Sequence, residues 1–474
     1  MQFRRCLLIA PALIFGASAL GQVSFDPAVS YVVGDRPGGS AMADLTGDGF
    51  NDVAVTVDNP DRVVLLFNGG SGALAPGGSV LLPNGSGAGA IVAADLDGDG
   101  DVDLAVALQN SAQIILLLNN GAGAFTVGGP FASGQNPRGL TAADLNGDGR
   151  IDLATANRDT NNATVLLNQG GGAFTSSNVA AGGEPRGVGL GDFDGNGTVD
   201  MAVSNHDDRT ISIYSNNGAG VFTATGLLTT PAQRPDGLVA ADLNGDGMAD
   251  VASTTGASAS VYLATGGMAF GPRVQYPSGG VDTSDIIAVD LDCNGSLDLV
   301  MSNQTSGNFS VMQNSGAGAF GAATVVASGA TPERISAGDL TGNGVADIAV
   351  ANRDSNNLTV HMNTTCGGGG YTLTLTGACP GRITVSWSGA QPNGQQALLF
   401  AAAQGNFRIP PGQPCAGTVL GLGSNQLRIV TPPGLFSTGN GSGSISGNAG
   451  PAACGSFLQL IQGGNCTTSN VAGL

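Results

Sequence analysis

Residues 95–106 read DLDGDGDVDLAV and residues 144–155 read DLNGDGRIDLAT. Oxygen-bearing side chains stand at positions 1, 3, 5 and 9 of each stretch, with glycine at 6. The segment recurs seven times, beginning at Asp44, Asp95, Asp144, Asp192, Asp242, Asp290 and Asp339, at intervals of 48 to 51 residues. Around each copy the sequence alternates as strands do. In the second repeat one apolar run enters the cluster (89–96), a second leaves it (102–108), and a third follows a polar turn (113–118). A fourth run opens at a Gly-rich turn ending in Phe125. Four short strands in about 49 residues make one propeller blade. Seven copies therefore predict an all-β, seven-bladed β-propeller over residues 22–365.

The ends of the array predict a closed ring. The seventh repeat stops after its third strand (358–362) and runs into Cys366 and four glycines. Its missing fourth strand has a candidate at the other end of the chain. There Gly21-Gln22-Val23-Ser24-Phe25, followed by 29–33, matches the Gly-to-Phe pattern of the other fourth strands. Closure of this kind removes the edges that an open array exposes; a linear solenoid is the alternative.

The acidic loops and the Gly-rich turns ending in Phe recur in phase, and together they resemble FG-GAP/VCBS repeats. These are the unit of the integrin α-subunit propeller and of many bacterial secreted proteins. The resemblance covers residues from about 23 to 363. The first repeat departs from it, because Gly72-Ala73-Leu74-Ala75 lacks the turn Phe.

Calcium is a hard cation that takes six to eight oxygens at about 2.3–2.6 Å from a flexible loop. Side chains at positions 1, 3 and 5 can turn inward together, and glycine at 6 permits the sharp turn. A backbone carbonyl at 7 adds an oxygen, and Asp at 9 closes the shell. The resemblance implies these roles in all seven loops. They fall on Asp44, Thr46, Asp48, Phe50 and Asp52 in the first, and Asp95, Asp97, Asp99, Asp101 and Asp103 in the second. In the third they fall on Asp144, Asn146, Asp148, Arg150 and Asp152, and in the fourth on Asp192, Asp194, Asn196, Thr198 and Asp200. The fifth has Asp242, Asn244, Asp246, Met248 and Asp250; the sixth has Asp290, Asp292, Asn294, Ser296 and Asp298. Asp339, Thr341, Asn343, Val345 and Asp347 complete the seventh, which offers only two carboxylates and is expected to be the weakest. In the sixth loop Cys293 stands where the others have glycine and is expected to perturb the turn. An EF-hand needs Glu at position 12 between helices. Position 12 here is Val55, Val106, Thr155, Val203, Ser253, Met301 and Val350, and the flanks read as strands, so the EF-hand is rejected. Tight turns without metal are the remaining alternative, but their carboxylates would repel one another. Up to seven structural Ca²⁺ ions are expected.

Composition agrees with that reading. The chain has no lysine, 16 arginines, two glutamates (Glu184 and Glu333) and 33 aspartates, 22 of them in the seven loops. Lysine and glutamate usually populate exposed helix faces. The formal charge of −19 argues against a nucleic-acid partner. Residues 1–21 read as a secretory signal peptide: Arg4 and Arg5 precede a short apolar stretch (6–17) and small residues suited to cleavage. The stretch falls short of the roughly 20 residues that span a membrane, so a secreted or cell-surface protein is expected. Without Arg4 and Arg5 the charge becomes −21, and seven Ca²⁺ would bring it to −7. Six cysteines then remain, Cys293, Cys366, Cys379, Cys415, Cys454 and Cys466. An even count in an exported chain favours disulfides; Cys293 either reaches Cys366 or stays free.

Catalytic material is scarce: His206, His361 and Trp387 are the only residues of their kinds. No triad or His/Cys metal cluster is evident, and no enzyme is expected. Arginines gather instead in the connections that the family places opposite the acidic loops. Candidate ligand contacts are Arg138, Arg158, Arg186, Arg209 and Arg353. They either rim a face for an anionic ligand or pair with Asp159, Asp207 or Asp354 of neighbouring blades. After a Gly-rich linker (366–370), residues 371–474 predict a small disulfide-containing β-sandwich-like domain. The functional expectation is a monomeric, secreted, calcium-binding module for recognition or adhesion, with an extracellular glycan or protein as partner. The alternatives are a polysaccharide-active, lyase-like enzyme and a structural surface protein.

Overall fold

The computed structural model describes residues 22–365 in full and, beyond them, only the backbone of strands between 372 and 473. Blade 2 shows how the repeat folds: Ala88–Ala94, Asp103–Leu108, Gln113–Asn119 and Phe125–Ala132 form one antiparallel sheet in chain order. Its second strand is buried at all six residues, because neighbouring blades cover both faces. That explains a continuous apolar run where a half-exposed strand would alternate. The outer strand, covered on one face only, is mostly exposed.

Seven such sheets follow one another. Their innermost strands are Asp35–Ala43, Ala88–Ala94, Pro137–Ala143, Pro185–Gly191, Pro235–Ala241, Thr283–Val289 and Pro332–Gly338. Each packs on the next, and the first packs on the last. Blade 7 takes its fourth strand from the start of the described chain: Val29–Val32 pairs antiparallel with Asn357–His361, from Val29 opposite Val360 to Val32 opposite Asn357. Phe25 bridges Asn363 beyond it. The ring is closed by the segment that the sequence pointed to, and the solenoid is excluded.

Each blade junction has its own apolar core, and one rule builds all seven. A residue of the fourth strand of one blade packs on the same cluster as the turn residue of the next: Val80 with Phe125, Phe131 with Phe174, Val179 with Phe222. Leu228 with Phe270, Tyr276 with Phe320 and Val326 with Phe25 continue the series. At the seventh junction Leu74 replaces the turn Phe, and the larger Tyr31 stands opposite. The Tyr31 hydroxyl also accepts the Leu74 N–H at 3.2 Å. The irregular first repeat is thus compensated by volume on its partner. The rings of Phe131 and Phe174 meet edge to face at 5.3 Å, a geometry worth about 0.5–1.5 kcal/mol beyond area burial.

Among the described residues there is no helix, and none long and apolar enough to cross a membrane. The expected signal peptide, linker and C-terminal domain, with every cysteine but Cys293, lie outside the fully described residues. Cys293 is not a free thiol.

Candidate metal centres

All seven acidic loops join an innermost strand to the second strand of its blade, so they share one face of the ring. The carboxylate at position 1 organises each loop. Asp44 accepts the N–H groups of Gly47 at 2.7 Å and Gly49 at 2.8 Å, and Asp144 those of Gly147 and Gly149 at the same distances. The glycine at position 6 is left-handed in every loop, with φ between 82° and 95°, a conformation that glycine adopts without steric cost. At position 4 six loops have glycine at φ 71–88°, and Cys293 takes φ 57° instead. The expected perturbation is therefore a side chain held in the left-handed region, not a different loop path.

Position 9 does more than the sequence suggested. All seven of its aspartates are fully buried (Asp52, Asp103, Asp152, Asp200, Asp250, Asp298 and Asp347). One oxygen of Asp103 accepts the Leu96 N–H at 2.9 Å and the other the Asn119 N–H at 2.7 Å. The pair of bonds repeats in every blade, through to Leu340 and Asn363 around Asp347. The carboxylate thus ties its loop to the end of the third strand, and its remaining lone pairs are what a cation could use. Burial pushes these carboxyls up despite the opposing backbone N–H groups, Asp103 and Asp250 to about 6 and Asp298 to about 7.

The donor at the end of the third strand is a residue the sequence reading passed over. Asn119 also donates its amide to the Leu45 carbonyl of blade 1 at 2.9 Å and to Val102 of its own loop at 3.0 Å. Asn68, Asn168, Asn216, Asn314 and Asn363 repeat this, each reaching the loop of the preceding blade. Asn68 bonds Leu340 and so latches the ring where its ends meet. All six stand 24 residues after the first aspartate of their loop, a spacing that was legible. In blade 5 Ala264 holds the place, keeping the backbone bond to Asp250 but making no latch. There the Ala249 N–H reaches Asp192 of blade 4 at 2.7 Å, and the rings of Phe193 and Phe270 meet at 5.6 Å.

The loops differ in what they bring together. Carboxylate oxygens of Asp95, Asp97 and Asp99 lie within 4.8 Å of one another, as do those of Asp192, Asp194 and Asp200, and of Asp290, Asp292 and Asp298. These are loops 2, 4 and 6, the three with aspartate at position 3. Thr46, Asn146, Asn244 and Thr341 hold that position elsewhere. An all-oxygen, carboxylate-rich set of this kind fits a hard divalent cation. In loop 3 Arg150 forms an ion pair with Asp148 and occupies one of the acids. In loop 6 Asn294 donates its amide to the Asn314 carbonyl at 2.9 Å, which orients its amide nitrogen away from the cluster.

The opposite face is built differently. Arg138, Arg186 and Arg334 enter their innermost strands there. Arg334 crosses the axis to the Arg138 carbonyl of blade 3, passing over Gly39, where a Cβ would stand 3.4 Å from its Cδ. Arg186 pairs with Asp236 at 2.7 Å, Arg334 with Asp285 at 3.5 Å, Arg158 with Glu184 at 2.7 Å and Arg353 with Glu333 at 3.0 Å. Both glutamates of the chain are therefore spent on arginines. Asp159 and Asp207 pair with Arg158 and Arg234, whereas Asp354 accepts the Thr331 hydroxyl. Arg138 donates to Gln109 at 3.2 Å. Arg209 is exposed and forms no ion pair among the described residues. His206 sits beside Glu184 at 3.2 Å, and burial together with Arg186 pushes its pKa down. His361 has no such setting: it is buried between Phe25 and Phe309, in the place that Leu66, Leu117 and Leu166 fill in blades 1 to 3.

These features define a seven-bladed β-propeller with an acidic loop in each blade. A model of the FG-GAP-like repeat matches residues 44–106, 95–155, 144–203, 192–253, 242–301 and 290–350. Together these cover more than half of the sequence, and the chain belongs to the FG-GAP-like repeat family. Among solved structures, BBS1N in complex with ARL6DN is similar over 72% of this chain and 96% of that one, at 14% identity and a TM-score of 0.51. That likeness concerns the fold alone. A lectin of Agrocybe aegerita, described as recognising non-reducing terminal N-acetylglucosamine, is 22% identical over 66% of this chain and 88% of its own, with a TM-score of 0.45. A protein from Lactobacillus plantarum is 15% identical over 63% and 86%, with a TM-score of 0.47. No curated protein matches the chain.

Proposed function

We propose that the chain is an exported recognition or adhesion protein whose loops hold structural calcium and whose opposite face meets a carbohydrate or protein partner. The observation that carries this reading is the imbalance of charge in loops 2, 4 and 6. Each gathers three carboxylates within 4.8 Å, and among the described residues none of these carboxylates forms an ion pair. Buried or crowded carboxylates without a cation raise one another's pKa and destabilise the fold; bound calcium supplies the missing charge. Asp95, Asp97 and Asp99 would hold the ion in loop 2, Asp192, Asp194 and Asp200 in loop 4, and Asp290, Asp292 and Asp298 in loop 6. Export is supported by the apolar stretch behind Arg4 and Arg5. Binding is favoured over catalysis because His361 is spent on packing and His206 on an ionic cluster.

The test is calorimetric titration of calcium into chelator-stripped protein, with retention on acidic and neutral polysaccharides measured in parallel. Several ions per chain and calcium-dependent retention, weakened by Arg158→Ala with Arg353→Ala, are expected. Absence of calcium uptake would overturn the metal reading; failure to retain any glycan would direct the search to protein partners.

A further inference from the structure

The junction of blades 3 and 4 is left open at its outer end, and neighbouring blades show why. On the third strand of blade 3, Thr164 faces outward from the sheet and donates to its cross-strand partner Asn178 at 2.7 Å. In blade 5 the matching Ser260 is covered by Arg273, which donates to it at 2.9 Å. In blade 4 the matching residue is Ser212, its cross-strand partner is Leu227, and the same strand adds only Ala224 and Gly226 to the groove. A Cβ built on Gly226 meets no atom within 4 Å. Where blades 3 and 5 place a polar cover, this one leaves a groove of about 770 Å³, within the size range of small-molecule sites.

The groove has a fixed polar wall. Asn205 is fully buried and donates its amide to Thr210 Oγ1 at 3.0 Å and Ser212 Oγ at 2.9 Å, while its oxygen accepts the Gly182 N–H at 2.9 Å. Thr210 is an acceptor in that bond and keeps its own proton to donate. Asp208 uses one oxygen on the Gly183 N–H at 2.7 Å; the other has lone pairs to spare. Tyr214 donates to the Ala180 carbonyl at 2.7 Å and so pins the two blades at a set separation. The lip is Leu227, 64% exposed. Among the described residues no basic side chain lines the groove.

We infer that this groove binds a neutral pyranose. A sugar ring presents adjacent hydroxyls, which suit a carboxylate acceptor beside a hydroxyl donor, and an apolar C–H face, which suits an aliphatic lip. Asp208 would repel a uronate or a sulfated sugar, so the site selects against the anionic class that the opposite face's arginines would suggest. The inference rests on the recognition reading proposed above and gives it a ligand class and an address.

The test uses the full chain in calcium with methyl glycosides of neutral hexoses and N-acetylhexosamines, and methyl glucuronide as the anionic counterpart. Binding is read by saturation-transfer NMR and calorimetry. At least one neutral glycoside should bind in the millimolar range or tighter, and the glucuronide should not. Gly226→Arg should abolish binding with an unchanged melting temperature, because the new side chain enters open space. Asp208→Asn should weaken it about tenfold, the loss of one charge-assisted bond. No neutral glycoside bound, preference for the glucuronide, or binding that survives Gly226→Arg would each overturn the proposal. In the last two cases recognition itself would stand and the groove alone would fall.

Discussion

The two faces of the ring handle charge in opposite ways. On the loop face seven repeats place aspartates at positions 1 and 9 at the same spacing, and among the described residues a basic partner enters only in loop 3, through Arg150. On the other face the charged residues vary from blade to blade, yet Asp236, Asp285, Glu184 and Glu333 each have an arginine within 3.5 Å. A face that neutralises itself needs no ion. A face that crowds carboxylates without basic partners is the one that an outside cation would stabilise. Repetition here marks a structural requirement, and divergence marks freedom to specialise.

The largest effect expected from this contrast is on removing calcium. A site held at a hundred times its Kd contributes about 2.7 kcal/mol, or roughly 4 °C of melting temperature per site in a domain of this size. Thermal unfolding in excess chelator should therefore fall far below the calcium curve. Asp97→Asn, Asp194→Asn and Asp292→Asn should each remove part of the difference, whereas Arg158→Ala should leave it whole. A chelator curve superimposed on the calcium curve would erase the contrast between the faces.

Next comes the latch. Asn119→Ala strands the buried carbonyl of Leu45 and the half-buried carbonyl of Val102. Two unsatisfied groups should cost about 3–5 kcal/mol, read as a lower urea midpoint. The latch belongs to the loop face, so its loss should also weaken calcium affinity by opening the loop on blade 1. A cost below about 0.5 kcal/mol would mean that the backbone bond to Asp103 suffices, as it does at Ala264.

The loop face was legible because its chemistry is local. Asp44 and Gly49 lie within one turn, so spacing alone declares what they do, and the turn Phe residues recur in phase with them. The latch was legible in principle, since Asn stands 24 residues after each first aspartate except in blade 5. It was missed because an asparagine ending a strand is common, and its partner lies in the preceding blade. Asp159 and Asp207 were named from the sequence as arginine partners, but the pairs near the axis could not be read. Arg334 meets Asp285 and the Arg138 carbonyl only because the ring closes around an axis lined by Gly38, Gly39 and Gly89. Volume compensation between Tyr31 and Leu74 has the same origin, for it joins residues that no linear pattern relates.

The two histidines sharpen the contrast through pH. Burial alone pushes His361 down to about 4, so the unfolded chain, with its ordinary value near 6.5, takes up the proton first. Stability from this residue is whole above pH 6.5 and is lost as pH falls toward 4, by on the order of 2–3 kcal/mol. His361→Phe should flatten that limb of the stability curve in equilibrium unfolding. His206, also pushed down but flanked by Glu184 and Arg186, should contribute a smaller slope that salt alters. Equal slopes for His206→Gln and His361→Phe would show that the ionic cluster is buried as deeply as the core.

The smallest effect expected is the most discriminating for the opposite face. Arg158 and Glu184 are bonded at 2.7 Å but remain 34% and 24% exposed, and pairs of that exposure couple by about 0.2–1 kcal/mol. A double-mutant cycle of Arg158→Ala and Glu184→Ala should fall in that range. Arg209→Ala, which breaks no described ion pair, should change stability by less than about 0.5 kcal/mol. Coupling above about 2 kcal/mol would make the network a clamp holding blades 3 and 4 together. Weak coupling leaves its arginines able to exchange an internal acid for one on a partner at little cost, which a recognition face requires and a clamp forbids.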